Sequence, residues 1–377
     1  MLRFLRHQYG SRVTTDFRRS ARSVESGVYD LKDFFDFLDA SGLEFEEVRN
    51  TQLENYLFSM ISRDSPTTGR AYSRETVRRR ASTIRSFYQW ASDQGITKYR
   101  LDLARIDAVE REFRSNSNYL SAPRAQKRDA KVRYIPREKL RLILDACGPL
   151  VVDARAVKEG TTSRLRLMYE CALQAGLRRA EIPRLTVADV RVSSRLAAGR
   201  ELLNRVPLDV LGKGAKVRTV MFPVWIIENI AKYIDCERAE AIAYRRHADP
   251  SFEDHGFVFV REASGTTCVG EPFDERYLSG PIRQIQMKLG IRYGISDSDQ
   301  PYQRRYGVHA LRHTYALVEY FSRKEAGDPE PWLFVQAQLG HSDLSTTTGI
   351  YLSLAREYEY EFGQLLKSGL DELKSNG

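Results

Sequence analysis

The residues best suited to chemistry lie in one stretch near the carboxyl end, residues 308–351, which holds three of the chain's six histidines. An arginine presents a planar fork of donors to phosphate oxygens, and a histidine can donate a hydrogen bond or move a proton near neutral pH. A tyrosine can act as a covalent nucleophile. Such a set, with no carboxylate among its key members, fits the binding and attack of a phosphodiester. The candidates are His309, Arg312, His313, His341 and Tyr351.

The order and spacing of these residues form a pattern. H-x-L-R-H spans residues 309–313, L-G-H spans 339–341, and a tyrosine follows. The pattern resembles the carboxyl-terminal signature of the tyrosine recombinases, the phage integrase family. Tyr351 follows His341 by ten positions, one more than in many members but as in some of transposon type. Tyr358 and Tyr360 are the alternative nucleophiles.

The resemblance implies a function. It implies a site-specific DNA recombinase that cleaves and rejoins strands through a covalent 3′-phosphotyrosine intermediate. The biological task would be integration, excision or transposition of a mobile element. Two rival functions remain open. One is a related strand transferase, a type IB topoisomerase or a telomere resolvase, and the other is a catalytically inactive DNA-binding accessory protein.

Two earlier motifs resemble the rest of the family's active site. Gly-Leu-Arg followed three residues later by Glu places Arg178 in the catalytic arginine position, with Arg179 as its rival. Glu181 is expected to orient Arg178, because a lone carboxylate beside a bound phosphate would repel it. Lys213 stands between two glycines in a predicted β-hairpin, where the family carries a catalytic lysine. Lys216 is the runner-up.

The resemblance assigns a role to each candidate. Tyr351 would attack the scissile phosphate, while Arg178 and Arg312 would hold its two non-bridging oxygens. His309 and His341 would add hydrogen bonds or proton transfer, and Lys213 would protonate the departing 5′ oxygen. His313 is expected to have a supporting role.

These side chains require a scaffold of helices and one hairpin. We predict a mainly α fold with a small β-sheet: a helical core DNA-binding domain over residues 25–110 and a mixed α+β catalytic domain over residues 134–377. A basic amino-terminal arm, residues 1–24, precedes them, and a polar basic linker, residues 111–133, joins them. An amphipathic helix after Tyr351 is predicted to pack on its own domain or on a neighbouring protomer.

One amino-terminal helix has an arginine-rich side that suits a DNA groove. Its apolar stripe consists of Val77, Ala81, Ile84, Tyr88 and Ala91. The predicted DNA contacts are Arg74, Arg78, Arg79 and Arg85. A solvated surface helix is the competing interpretation.

Composition agrees with a polyanionic partner. The 377 residues carry a net charge of +9 and a pI near 9.3, and excess Lys and Arg suits nucleic acid. The four cysteines are scattered, which argues against a zinc site or a disulfide framework. No Walker A, HExxH or GxGxxG pattern suggests ATP, a metal or another cofactor. No apolar run is long enough to span a membrane and no secretory signal is seen, so a cytoplasmic protein is predicted.

The expected partners follow from the same interpretation. They are double-stranded DNA, further copies of the chain in a tetramer on two DNA sites, and accessory DNA-bending or directionality proteins.

Overall fold

The computed structural model describes residues 2–10, 21–62, 64–65, 69–72, 74–99, 101, 134–150, 162–212, 216–262, 268–292 and 305–340. The chain divides into two compact units, Met1–Asp129 and Ala130–Gly377. The division falls inside the stretch that the sequence predicts to be the linker. The predicted residues Lys213, His341, Tyr351, Tyr358 and Tyr360 lie outside the described residues.

The amino-terminal unit is a small helical assembly with an aromatic core. Its apolar faces meet around Phe34, Tyr56, Phe87 and Tyr88, which are all at most 2% exposed. Phe34 meets the Tyr56 ring edge-on at 5.0 Å, an arrangement that aromatic pairs prefer. The elements are α1 (Leu2–Gly10), α2 (Ala21–Ala40), α3 (Asn50–Ser62), the short antiparallel pair β1 (Asp64–Ser65) and β2 (Arg70–Ala71), and α4 (Arg74–Asp93).

The start of the chain corrects one prediction. Residues 1–24 were predicted to be a basic arm, yet Leu2–Gly10 form a helix and α2 begins at Ala21. Phe4 and Leu5 are buried in the core of the amino-terminal unit, and the Phe4 ring lies 5.4 Å from that of Phe87. A nine-residue helix with two buried side chains gives little apolar periodicity, so tertiary contacts decide its structure.

The second unit combines helices with one β-hairpin. Its core runs through most of its elements, from Ile135 to Leu311. A second apolar cluster joins the last two described helices around Tyr315 and Leu339. The elements are α5 (Arg137–Asp145), α6 (Arg164–Ala175), α7 (Val187–Ala197), β3 (Arg205–Leu211), β4 (Val217–Pro223), α8 (Val224–Tyr233), α9 (Ala239–Ala248), α10 (Ser279–Lys288), α11 (Val308–Glu325) and α12 (Pro331–Leu339).

The hairpin of β3 and β4 has a buried face and an exposed face. The strands pair antiparallel from Arg205 opposite Pro223 to Leu211 opposite Val217. Strand residues alternate between the two faces of a sheet. The buried face therefore carries Val206, Leu208 and Val210 on β3 and Arg218, Val220 and Phe222 on β4. An arginine stands in line with two fully buried apolar residues.

The predicted fold class is confirmed, because helices dominate and the sheets have two short strands each. The apolar stripe predicted on α4 is buried along its whole length. Among the described helices, none is both long and apolar enough to cross a bilayer.

Candidate active site

A left-handed glycine turns the chain at the end of α6 and places Arg178. Gly176 ends the helix with φ of 66°, a conformation that glycine adopts readily. A Cβ there would lie 2.6 Å from the Tyr315 ring, so no other residue fits without movement. Arg178 follows two residues later with a side chain 28% exposed. It is therefore anchored at its base and open to solvent at its end.

Glu181 is a buried carboxylate that holds this turn. It is 2% exposed and therefore lies inside the fold. Its Oε2 accepts the backbone N–H of Arg178 at 2.7 Å, and its Oε1 accepts from Nη1 of the same arginine at 2.8 Å. The carboxylate thus fixes both the backbone and the guanidinium of Arg178, as the sequence analysis expects.

Two further arginines approach the same carboxylate from other elements. Arg218 on β4 donates from Nη2 to Oε2 of Glu181 at 2.9 Å. Arg312 on α11 places Nη1 3.9 Å from the same oxygen and is 1% exposed. We call Arg178, Arg218, Arg312 and Glu181 the arginine–glutamate cluster. It gathers residues from a turn, a strand and a helix that lie far apart in sequence.

The three arginines also bind the carboxyl end of α12, one carbonyl each. Arg218 Nη1 donates to the Gln338 carbonyl at 2.5 Å, and Arg312 Nη2 donates to the next one, Leu339, at 2.6 Å. Arg178 Nη2 donates to the Gly340 carbonyl at 3.0 Å. The last carbonyls of a helix have no partner within it and carry partial negative charge, so cations are favoured there. Arg312 also donates to the Gly176 carbonyl.

Electrostatics keep Glu181 charged. Burial raises the pKa of its carboxyl group, but the charge of Arg218 and hydrogen bonds from Arg178 and Arg218 outweigh burial, so the pKa lies below its ordinary value. Glu181 is therefore ionised at neutral pH, and its carboxylate is a fixed hydrogen-bond acceptor for the arginines.

His309 lies one turn before Arg312 on α11. His309 is exposed at the surface, yet desolvation by the surrounding protein first, and then the positive charges of Arg312 and Arg178, lower its pKa below the ordinary histidine value. A neutral imidazole is favoured, which can accept a proton as well as donate a hydrogen bond. The His313 ring meets the His309 ring edge-on at 5.1 Å, in keeping with a supporting position.

Arg179, the rival of Arg178, has partners elsewhere. Its Nη1 donates to the Ser279 hydroxyl at 2.8 Å, and its Nη2 lies 3.5 Å from Glu275 Oε1. Both partners lie at or beside the start of α10. Arg179 therefore braces α10, while Arg178 belongs to the arginine–glutamate cluster.

The neighbours of the undescribed candidates can be located. Gly212, which precedes Lys213, lies beside Glu181, since a Cβ on it would be 3.5 Å from Oε1. Gly340, which precedes His341, accepts the hydrogen bond from Arg178. Lys216, the alternative to Lys213, is exposed at the end of the hairpin. The assignments of Lys213, His341 and Tyr351 stay predictions.

The predicted DNA contacts on α4 differ in their surroundings. Arg78 is exposed, and Arg85 is half-buried. Arg79 is partly exposed but forms an ion pair with Asp30, a carboxylate that is 1% exposed. For Arg74 only the backbone is described. All four assignments stay predictions, and Arg79 has a structural partner besides.

Sequence reasoning missed two members of the site. Arg218 could have been found, because it follows the Gly-Lys-Gly turn in phase with the buried Val220 and Phe222. Gln338 was hidden in an apolar helix. Its side-chain amide accepts from the Met221 N–H at 3.0 Å and donates to the Met221 carbonyl at 2.7 Å, which joins α12 to β4. A glutamine that pairs with backbone leaves no mark in a sequence pattern.

No group of three His, Cys, Asp or Glu side chains within the described ranges is placed to share a metal ion. The expectation that the protein needs no cofactor stays a prediction.

Two sequence profiles match the chain. The profile of the Phage integrase family matches residues 138–357, and that of the phage integrase N-terminal SAM-like domain matches residues 7–95. The first match alone covers more than half of the chain. The chain therefore belongs to the phage integrase family, the tyrosine recombinases, as its motifs indicate.

Relatives in sequence span most of the chain. Tyrosine recombinase XerC 2 of Ralstonia nicotianae is 27% identical over 319 residues, covering 76% of this chain and 79% of the relative. Transposase A from transposon Tn554 of Staphylococcus aureus is 22% identical over 365 residues, covering 93% of this chain and 87% of the relative. The relative with the longer alignment belongs to a transposon.

Solved structures share the fold. The XerH site-specific recombinase in its post-cleavage complex with palindromic difH substrate has a TM-score of 0.58 at 16% identity. The match covers 97% of this chain and 94% of XerH. The Tn1549 transposon integrase in complex with transposon right end DNA has a TM-score of 0.51 at 14% identity, covering 96% and 98%. At such low identity these likenesses establish the fold alone.

Proposed function

We propose that this protein is a site-specific DNA recombinase that cleaves and rejoins DNA strands through a covalent 3′-phosphotyrosine. The observation that carries the proposal is the arginine–glutamate cluster. The guanidinium groups of Arg178 and Arg312 lie 2.8 Å and 3.9 Å from one buried carboxylate, Glu181, and donate to adjacent carbonyls at the end of α12. Two preorganised guanidinium groups suit two non-bridging phosphate oxygens.

Charge stabilisation is the main contribution of these two arginines. As the phosphorus becomes pentavalent, negative charge grows on the non-bridging oxygens, and donors fixed beforehand stabilise it without reorganising. Glu181 supplies that fixation for Arg178. Neutral His309, beside Arg312 on the same helix, would hydrogen-bond a phosphate oxygen or assist proton transfer.

The remaining chemistry falls to residues assigned by sequence. Tyr351 would attack the phosphorus, forming the phosphotyrosine and breaking the bond to the 5′ oxygen, which Lys213 would protonate as it leaves. His341 would assist beside the non-bridging oxygens. Positions next to two of these residues support the assignment, because Gly212 adjoins Glu181 and Gly340 binds Arg178. The reverse attack by a 5′ hydroxyl of another strand would rejoin DNA without a nucleotide.

The proposed partners are double-stranded DNA and other copies of the chain. Structural neighbours include λ integrase dimers on a core site and a tetramer on a Holliday junction, as their descriptions state. We propose a tetramer on two DNA sites for this chain also, acting in the cytoplasm. Accessory DNA-bending or directionality proteins are part of the proposal for the biological reaction.

The experiment uses DNA that flanks this protein's own gene, because mobile elements carry their crossover sites near it. Nicked suicide duplexes, which trap the covalent product, are incubated with the wild-type protein and with Tyr351→Phe. A denaturant-resistant protein–DNA adduct is expected with the wild-type protein only. The matched variants Tyr358→Phe and Tyr360→Phe should form the adduct normally.

Other outcomes have definite meanings. An adduct that survives Tyr351→Phe but is lost in Tyr358→Phe or Tyr360→Phe would move the nucleophile and keep the reaction class. Specific binding of these duplexes with no adduct from the wild-type protein would overturn the proposed activity in favour of a DNA-binding accessory protein. Relaxation of supercoils without strand exchange would favour the topoisomerase-like reaction.

A further inference from the structure

Arg218 is a charged side chain on the buried face of the hairpin. It bridges two elements, since Nη2 donates to Glu181 at 2.9 Å and Nη1 donates to the Gln338 carbonyl at 2.5 Å. Its side chain is 16% exposed. Within the described part of the chain its Nε is buried without a hydrogen-bond partner, which costs free energy. The sequence keeps a costly charge here rather than an apolar residue.

Arg218 competes with Arg312 for one oxygen. Both guanidinium groups face Oε2 of Glu181, Arg218 at 2.9 Å and Arg312 at 3.9 Å. Removing Arg218 would leave a buried anionic oxygen short of a donor, and Arg312 is the nearest cation able to replace it. A shift of about 1 Å would bring Arg312 into contact, and misplacement on the order of 1 Å can cost about a hundredfold in rate.

A close approach at Gly340 adds a second constraint. Gly340 has φ of 60°, and a Cβ there would lie 2.8 Å from Arg218 Cδ. The Arg218 side chain therefore fills the space that a side chain at position 340, just after α12, would need. Its position fixes the Gly340 carbonyl, which Arg178 binds.

We propose that Arg218 is a positioning residue for strand cleavage, which holds Glu181 and the end of α12 so that the guanidinium groups of Arg312 and Arg178 keep the positions in which they would meet the scissile phosphate. This inference rests on the proposed function. Arg218 itself does not touch the substrate. It acts through the carboxylate of Glu181 and through the backbone at Gln338.

The chain offers a matched control on the same hairpin. Arg205 also joins the hairpin to a buried glutamate on a helix, Glu319, with Nη2 2.5 Å from Oε2. Arg205 and Arg218 sit at opposite ends of the paired strands, and the hydrogen bonds of Arg205 go to Met221, Tyr315 and Glu319. Arg205→Gln therefore removes an equivalent ion pair without altering the arginine–glutamate cluster.

The first measurement is the single-turnover rate of adduct formation on the suicide duplex at saturating protein. Arg218→Gln should lower this rate by about 10- to 100-fold while the DNA concentration for half-maximal binding stays the same. Arg205→Gln should change the rate by less than about threefold, because Arg205 pairs with Glu319 and not with Glu181, and distant sites act independently. Arg218→Lys, which keeps the charge but not the fork, should recover part of the rate.

A mutant cycle tests the route of action. Because Arg218 acts in part through Glu181, the rate loss in the double variant Arg218→Gln, Glu181→Gln should be smaller than the product of the two single losses. Rate losses that multiply would overturn the proposal, because Arg218 would then act independently of the carboxylate. A wild-type rate in Arg218→Gln, or equal losses in Arg218→Gln and Arg205→Gln, would also overturn it.

Amide hydrogen exchange gives a readout that needs no DNA. Arg218→Gln should speed exchange at residues 336–340, because the end of α12 loses its bond from Arg218, whereas Arg205→Gln should not. Unchanged exchange in Arg218→Gln would overturn the anchoring role. The exchange measurement also separates the inference about Arg218 from the proposed function. A wild-type protein that forms no adduct would contradict the proposed function alone, whereas unchanged exchange would contradict the role of Arg218.

Discussion

A single carboxylate, Glu181, stabilises the positions of three arginines, and its replacement should be costly. In Glu181→Gln the shape is kept but the charge is lost, which leaves Arg312 and Arg218 largely buried beside a neutral group. Breaking a buried ion pair in this way costs about 3 kcal/mol. We expect urea denaturation to show that loss in the free energy of unfolding.

Asp235 provides the control for this prediction. It pairs with Arg191 at the surface, where both side chains are well exposed. Asp235→Asn should lower the free energy of unfolding by less than about 1 kcal/mol, because water screens the pair. Equal losses in the two variants would contradict the importance assigned to burial at Glu181.

The same residue makes a prediction about pH. The pKa of Glu181 is lower in the folded protein than its ordinary value, so its contribution to stability is complete above the unfolded pKa of about 4.3. That contribution is lost as the pH falls through the folded pKa. The stability gap between wild type and Glu181→Gln should be constant from pH 7 to about 5 and then narrow. Denaturation midpoints across this pH range measure the stability gap. A gap that widens at acid pH would contradict a lowered pKa for Glu181.

Sequence patterns identified residues by their chemistry but not by their distances. The sequence alone identified Arg178, Arg312 and Glu181, because they occupy positions in motifs that follow the family's order. Gln338 could not be identified in this way, because its importance lies in its contact with Met221, far away in the chain. The strand pattern could identify Arg218 as an inward-facing residue, but not as a partner of Glu181. Periodicity reports which side of an element is buried, and a buried arginine looks like a break in the pattern.

At the scale of elements, the carboxyl end of α12 is where this helix contacts the arginine–glutamate cluster. Gly340→Ala forces a side chain into the left-handed conformation and against Arg218. The strained backbone costs about 1–2 kcal/mol, and the overpacking about 1–3 kcal/mol more. We expect urea denaturation to show both losses and the adduct assay to show a slower rate.

A matched substitution at Gly327 separates the effect of backbone strain from the effect of overpacking. It also has a positive φ, 83°, but a Cβ on it would meet nothing within 4 Å. Gly327→Ala should therefore lose only the backbone part and keep the wild-type rate of adduct formation. Similar results for the two glycines would show that the space beside Arg218 has no special role.

Elements with strong local signals were predicted well. The helix α4 follows from its apolar stripe, and the hairpin of β3 and β4 follows from the two glycines that flank Lys213. The first helix was missed because Phe4 packs against Phe87 and Trp90, which lie over eighty residues away. Local propensity carries no information about such a contact.

At the scale of the whole molecule, the net charge of +9 should make DNA binding sensitive to salt. Arg78 is an exposed member of the arginine-rich side of α4. Each phosphate contact adds about 0.9 to the slope of log affinity against log salt, so Arg78→Gln should reduce the slope by about that amount. Binding to duplex DNA at several salt concentrations measures it, and an unchanged slope would remove Arg78 from the interface.

Arg79 is the matched comparison on the same helix. Its partner Asp30 is buried, so Arg79→Gln should also lower the free energy of unfolding by about 1–3 kcal/mol. Arg78→Gln should leave stability unchanged. A stability loss in both variants would indicate that α4 uses its whole arginine-rich side for folding.

The arginine–glutamate cluster also sets a charge balance for the reaction. Three guanidinium groups and one carboxylate give these four residues two net positive charges. A phosphodiester brings one negative charge, and the pentavalent species brings two. Among these residues, neutrality is reached at the top of the barrier and not in the bound substrate. An excess of one cation in the ground state is what an enzyme needs to bind its transition state more tightly than its substrate.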